Sequence, residues 1–352
     1  MNKIISFPYL GVYSFPIKYL IEHITNCKVL IPIKSDETIK IANKYSKEIK
    51  NIHFKHILAN YIETLENGAT ILIRDNSNIN ESYTQIQAKI LKKLNYQFTF
   101  INVEKNNHIS IIKIYKIAKK LNKRLNIILF IYYLLNTILI AIFIEKQDKY
   151  LRENIGFEKK KNSFELAENK FYKDMSNNKL STIKIYCKYK KIYHNIELTN
   201  TKRTKIFLTG NAYYLTNTQE NNNIERKLAE KGIEIIKYSP LFHLLMNKKI
   251  IRKIFLNKVK SHFKYYFESE VAEVVYYVLN NCKQGIDGII YIIASASENS
   301  VLPIINEICD KYNTPLLCLN INNRNIKINI DTKIEMFSDI IINKKETIKI
   351  IN

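Results

Sequence analysis

Glycine is scarce, with 7 residues in 352, about 2% where an average protein carries about 7%. Neither GxGxxG nor GxxxxGKS/T occurs, which excludes a dinucleotide fingerprint and a Walker-type nucleotide loop. Cysteine is thin as well: Cys27, Cys187, Cys282, Cys309 and Cys318 contain no CxxC pair. An odd, scattered set reads as reduced thiols of a cytoplasmic protein. Acid is in deficit, with 32 Asp+Glu against 55 Lys+Arg and a net charge of +23. Such an excess ordinarily points to a polyanion, a membrane surface or a phosphate-bearing ligand. Here lysine is spread through a chain rich in Ile and Asn, the residues an AT-rich coding sequence favours, so charge alone names no partner. The opening MNKIISFPYLGVYSFP has one lysine and an apolar run broken by Pro8, Gly11 and Pro16. That is not the pattern of a signal peptide, and the cytoplasm is the expected compartment. What is present, 46% hydrophobic and 25% charged residues, is globular composition, and the length admits two domains.

Periodicity gives an alternation of strands and helices in two blocks. In the first, KVLIPI from Lys28 to Ile33 reads as a strand, and Ser35, Asp36 and Glu37 supply the polar start of a helix running to about Lys47. Phe54, Ile57, Leu58, Tyr61, Ile62 and Leu65 then form one apolar helical stripe, closed by Gly68 where a left-handed residue is needed. ATILI, from Ala69, reads as a buried strand, Glu81 to Leu94 as a helix and FTFINV, from Phe98, as a strand. The second block repeats this grammar. KIFLTG ending in Gly210 is a strand, about Gln219 to Lys231 a helix, and Ile233 to Tyr238 a strand. A helix carrying Ala272, Val275, Leu279 and Cys282 leads into the strand GIIYII. A further helix, the strand Pro315 to Ile321, and a last helix opened by a Thr332/Glu335 capping box complete the block. Strands separated by helices imply parallel pairing with right-handed crossovers. The expectation is an α/β protein of two Rossmann/flavodoxin-like domains, residues 1–105 and 201–352, joined by a mostly helical segment, 106–200. Within that segment Leu125 to Ile144 is free of charge and long enough to span a bilayer. Asn126, Asn136 and Thr137 interrupt it and favour a buried helix between domains over a span.

These residues resemble a family. FPYLGVYSFPIKYLIE, KVLIPIKSDETIKIANKYS, HFKHILANYIETLENGATILI and ILKKLNYQFTFINV are similar to the opening domain of the 2-hydroxyacyl-CoA dehydratase and CoA protein activase family. In the second half, KIFLTGNAYYLTNTQENNNIERKLAEKGIEI resembles that family's Gly-Glu-Ile-Tyr strand and its following helix. GIDGIIYI resembles its Gly-x-Asp-Gly strand and DTKIEMFSDII its closing helix, so the match is collinear over most of the chain. The resemblance implies two α/β domains facing a cleft. It further implies a four-iron, four-sulfur cluster held by three cysteines, an ATP-dependent activator that delivers the electron, and dehydration of a 2-hydroxyacyl-CoA.

Departures from the family pattern fall on the chemistry. The resemblance places the three cluster cysteines at Asn51, at Asn78 and at Ser297. Neutral amide and hydroxyl groups do not supply the thiolates that hold such iron. The Gly-Glu-Ile-Tyr glutamate is replaced by Asn211. Cys282, Cys309 and Cys318 fall on buried faces or strands and read as core fillers. The expectation is therefore a cluster-free, non-redox member without a metal or iron–sulfur cofactor, its cleft candidates being Lys55, Gly210, Asn211, Tyr213 and Ser295. It would take a CoA-type or other small ligand, or join a cysteine-complete paralogous subunit or an ATP-dependent activator. An alternative keeps dehydratase-type lyase activity in a heteromer with a cluster-bearing partner.

Other patterns carry less. His53 and His56 stand at i, i+3, a metal spacing, but Glu63 lies too far along to complete a zinc triad. Ser295 and Ser297 lack GxSxG geometry, which argues against a hydrolase, although the helix opening near Glu298 offers backbone N–H groups to an anion. Asn247 to Lys264 has seven basic residues and no acid. As an amphipathic helix it suits nucleic acid or an anionic membrane, or it packs on its own domain with its lysines in water.

Overall fold

In a computed structural model of the chain, the described residues are 3–32, 36–49, 51–74, 81–105, 108–176, 182–199, 203–211, 214–215, 223–237, 257–259, 269–293, 299–321 and 326–351. They form two compact units, 1–141 and 142–352.

Unit 1 opens with β1 (Ile4–Ser6), α1 (Ser14–Thr25), β2 (Lys28–Leu30), α2 (Asp36–Tyr45), α3 (Ile52–Glu66), β3 (Ile71–Ile73), α4 (Glu81–Lys93) and β4 (Thr99–Ile101). A small antiparallel ladder follows, β5 (Glu104–Lys105) against β6 (His108–Ile109). Then come α5 (Ile111–Leu121) and α6 (Ile127–Asn154), which runs on into unit 2. The strands form a parallel sheet in the order β2-β1-β3-β4, with Ile5 opposite both Val29 and Ile71. The central strand β1 lies in the opening residues that periodicity left unassigned; three residues are too few to show alternation. The core is carried by α3, whose predicted stripe is buried as a set: Phe54, Ile57, Leu58, Tyr61, Ile62 and Leu65. Its last turn ends at Gly68 with φ +88°, the left-handed conformation predicted there.

Unit 2 contains α7 (Ser163–Ser176), α8 (Thr182–His194), β7 (Thr204–Gly210), α9 (Ile224–Glu230), β8 (Ile233–Lys237), α10 (Ser269–Lys283), β9 (Gly288–Ile293), α11 (Leu302–Lys311), β10 (Leu316–Asn320) and α12 (Ile326–Ile351). Its parallel sheet has the order β10-β9-β7-β8, so the two sheets share one topology: second, first, third, fourth strand. Every residue of β9 is buried, the near-continuous apolar run of a strand covered on both faces. The fold is thus the predicted α/β arrangement of two flavodoxin-like parallel sheets.

Two expectations are corrected. The Thr332/Glu335 pair does not open the last helix, because α12 already starts at Ile326; Glu335 reaches Lys231 at 3.7 Å instead. Nor is the apolar helix enclosed. Only 28% of the most apolar window of α6 is buried, since Phe130, Thr137, Ile140 and Ala141 turn inward while the opposite face meets solvent.

The far end of α6 carries a buried ion cluster that no local pattern announces. Arg152 reaches Glu168 at 2.7 Å, Glu225 at 3.2 Å and Asp148 at 3.3 Å, and the Glu225 side chain is 1% exposed. Burial disfavours the guanidinium charge. The carboxylates of Glu168, Asp148 and Glu225 outweigh that and hold it well above the ordinary arginine range. The cluster joins α6 to α7 and α9 beside the apolar contacts of Leu151, Phe164, Tyr193 and Ala229.

Candidate functional site at the carboxyl edges of the sheets

In an open parallel sheet the chain must leave neighbouring strands in opposite directions at one point, and the crevice beyond the carboxyl ends there is where ligands bind. In unit 1 that point lies between β1 and β3; in unit 2 it lies between β7 and β9.

Unit 1 builds its crevice with α3. The end of this helix meets the amino edge of the sheet, where Thr70 N–H donates to the Ile4 carbonyl at 2.9 Å. Its middle is level with the carboxyl edge. There the Asn60 amide oxygen accepts from Tyr9 N–H at 2.9 Å, and the Tyr61 hydroxyl donates to the Ile73 carbonyl at 3.1 Å. The first two turns of α3, with Asn51, His53, Lys55 and His56, therefore extend beyond the carboxyl edge. Asn51 is the N-cap: its extended backbone leads in, and its Oδ1 accepts from Phe54 N–H at 3.0 Å. From α4, the buried Gln87 amide donates to the Phe54 carbonyl at 3.3 Å and steadies that turn. Lys55 is 8% exposed. Immediately after β3 stands Arg74, whose backbone N–H is held by the Ile101 carbonyl at 2.9 Å. Its Nε is buried and has no hydrogen-bond partner among the described residues. Two cationic side chains thus stand at one carboxyl edge. Sequence reading singled out Lys55 but missed Arg74, Tyr9 and Asn60; a cation directly after the buried run ATILI was the available signal.

Unit 2 brings Gly210 and Asn211 to its own switch point. Gly210 has φ +127°, and a Cβ there would sit 2.2 Å from the Ile292 carbonyl oxygen, so this close approach of β7 to β9 admits glycine alone. Asn211 N–H donates to that same Ile292 carbonyl at 3.1 Å. Tyr213, Ser295 and Ser297 lie outside the described residues, and so does Asn78 in unit 1. Of the basic stretch Asn247 to Lys264, the described turn 257–259 buries Val259 in the core of unit 2. Beside it, Lys258 lies 4.9 Å from the Tyr276 ring centre.

Other titratable groups with shifted pKa values stand in unit 2. Cys282 on α10 and Cys309 on α11 are buried, as fillers should be, and share a hydrogen bond that together with burial pushes the Cys309 thiol up. Burial pushes the Glu273 carboxyl of α10 up to about 8. Burial and then the Asp148 charge bring Glu145 to about 7. Burial first and the Glu273 charge second raise Tyr277 to about 12. Among the described residues no three His, Cys, Asp or Glu side chains gather to hold a metal ion. The edge of unit 1 has the chemistry of an anion-binding crevice: the buried Lys55, the half-buried Arg74 with its Nε buried, backbone positions fixed by side-chain amides, and a helix start at the same edge. No protein-family profile matches the chain, and no curated protein matches it.

Proposed function

We propose that the chain is a cluster-free, non-redox relative of 2-hydroxyacyl-CoA dehydratase subunits, acting in the cytoplasm, that binds an anionic small ligand of the CoA type at the carboxyl edge of its first sheet. The observation that carries this reading is the use made of Asn51. At the position where the resemblance puts a cluster cysteine, the side chain is committed to capping α3, a task an amide oxygen performs and a thiolate ligand to iron would abandon. Lys55 and Arg74 at the same edge support an anionic ligand, because a buried guanidinium nitrogen gains most from a phosphate or carboxylate oxygen. The CoA part of the reading rests on the collinear resemblance.

Calorimetric titration of the full chain with CoA tests it. Saturable binding that weakens by roughly tenfold in Arg74→Gln, the loss of one charge-assisted hydrogen bond, supports the reading. Absence of heat with CoA, or binding indifferent to Arg74, contradicts it.

A further inference from the structure

The long helix α6 places an apolar face in water, and none of the described residues covers it. Ile127, Ile128, Ile131, Tyr132, Leu135 and Leu139 are all exposed, Ile128 to 75%. At about 100° per residue they fall within one arc of roughly 140°, and at 1.5 Å per residue the stripe is about 18 Å long. Ile112, at the head of α5, is 70% exposed. Between Glu104 and Glu145 the sequence has no acid and seven cations: Lys105, Lys113, Lys116, Lys119, Lys120, Lys123 and Arg124. The last four cluster where α5 turns into α6. There the Lys119 ammonium closes the turn on the carbonyls of Lys123 and Leu125, while Lys120, Lys123 and Arg124 are exposed.

We propose that this face of α5 and α6 is a membrane-docking surface, on which α6 lies in the plane of an anionic bilayer with its aliphatic stripe among the acyl chains and the cations of the preceding turn at the headgroups. Charge selects the lipid over a protein partner. Protein interfaces are depleted in lysine at their cores and enriched in aromatic residues, methionine and arginine, whereas this stripe is aliphatic but for Tyr132 and three of the four cations at its turn are lysine. That is the make-up of an interfacial helix drawn to anionic headgroups. In-plane docking fits better than spanning. Phe130, Thr137, Ile140 and Ala141 are buried within the protein, so only one face is free for lipid, and a span needs about 20 residues with lipid all round.

Flotation of the full chain with vesicles tests this, comparing phosphatidylcholine alone with phosphatidylcholine containing phosphatidylglycerol. The expected result is flotation with the anionic vesicles alone, reversed by high salt. Ile128→Asp should abolish it without changing the melting temperature, because the site is open to solvent. The triple variant Lys120→Glu, Lys123→Glu, Arg124→Glu should weaken it by roughly a hundredfold or more. Since the chain has no tryptophan, Tyr132→Trp adds a single reporter whose emission should shift to the blue on anionic vesicles. Failure to float with either vesicle overturns the proposal. So does a dimer in sedimentation velocity that Ile128→Asp dissolves, which would give the face to a second copy. Resistance of the bound protein to alkaline carbonate would replace docking with spanning and overturns it equally.

Discussion

The two sheets have the same strand order and differ in what holds them. In unit 1 every strand of the sheet is three residues long, too short to bury much surface, and the weight of the core has moved to α3. In unit 2 the strands run to seven residues, β9 is buried throughout, and the core is the sheet itself. Topology is therefore separable from the source of stability. The crossovers fix strand order and with it the place of the crevice, while burial is distributed between sheet and helix as the sequence allows. The overhanging helix of unit 1 follows from this. A helix that carries the core must be longer than the strands beneath it, so its first turns project past their ends and bring Asn51 and Lys55 to the edge.

Six substitutions break or sharpen the contrast. Arg152→Met removes the cation that pairs with Glu225, Glu168 and Asp148, and breaking this buried pairing from one side should cost unit 2 about 4 kcal/mol. Urea unfolding would read this, and hydrogen exchange would show the loss in 142–352. Leu58→Ala on α3 empties a fully buried site and should cost about 3 kcal/mol, with exchange rising across the sheet of unit 1. An equal loss from Ile5→Val in β1, where a methyl deletion should cost about 1 kcal/mol, would reverse the assignment of that core to α3.

Glu273→Gln acts in the other direction and with pH. The Glu273 carboxyl is raised from its ordinary 4.5 to about 8 in the folded chain, so the folded state keeps a proton that the unfolded state gives up. Its penalty is absent below pH 4.5, grows as pH rises through that window, and is complete above pH 8. Glu273→Gln should therefore stabilise by roughly 2 kcal/mol at pH 8.5 and by almost nothing at pH 4.5; thermal melts at the two values decide it. The smallest effect is that of Asn51→Ala, about 1 kcal/mol for the lost cap. Asn51→Asp should restore the stability, because its carboxylate can accept the same Phe54 N–H bond.

How much of this was legible depends on range. The α3 stripe, the Gly68 stop, the strands KIFLTG and GIIYII and the parallel pairing follow from local period and punctuation, which repeat every two or every 3.6 residues and survive in one sequence. Strand β1 escaped because Ile4, Ile5 and Ser6 are too few for a period, and the Thr332 capping box misled because a helix already formed upstream needs no cap there. The Arg152 cluster and the Cys282–Cys309 contact join elements that are distant in sequence, and no local spacing encodes them. At the candidate site the sequence singled out Asn51 as a former cluster-ligand position and Lys55 as a cleft candidate, and both fall at the start of α3. What it did not convey was that Asn51 is spent on a helix cap.

That use of Asn51 underlies the claim that the fold persists without the cluster, and one measurement addresses it most directly: iron and acid-labile sulfide on protein made and purified without oxygen, with its visible spectrum. The account predicts neither iron nor sulfide and no absorption in the visible. Iron and sulfide in stoichiometric amounts, with the broad visible absorption of a cluster, would contradict it.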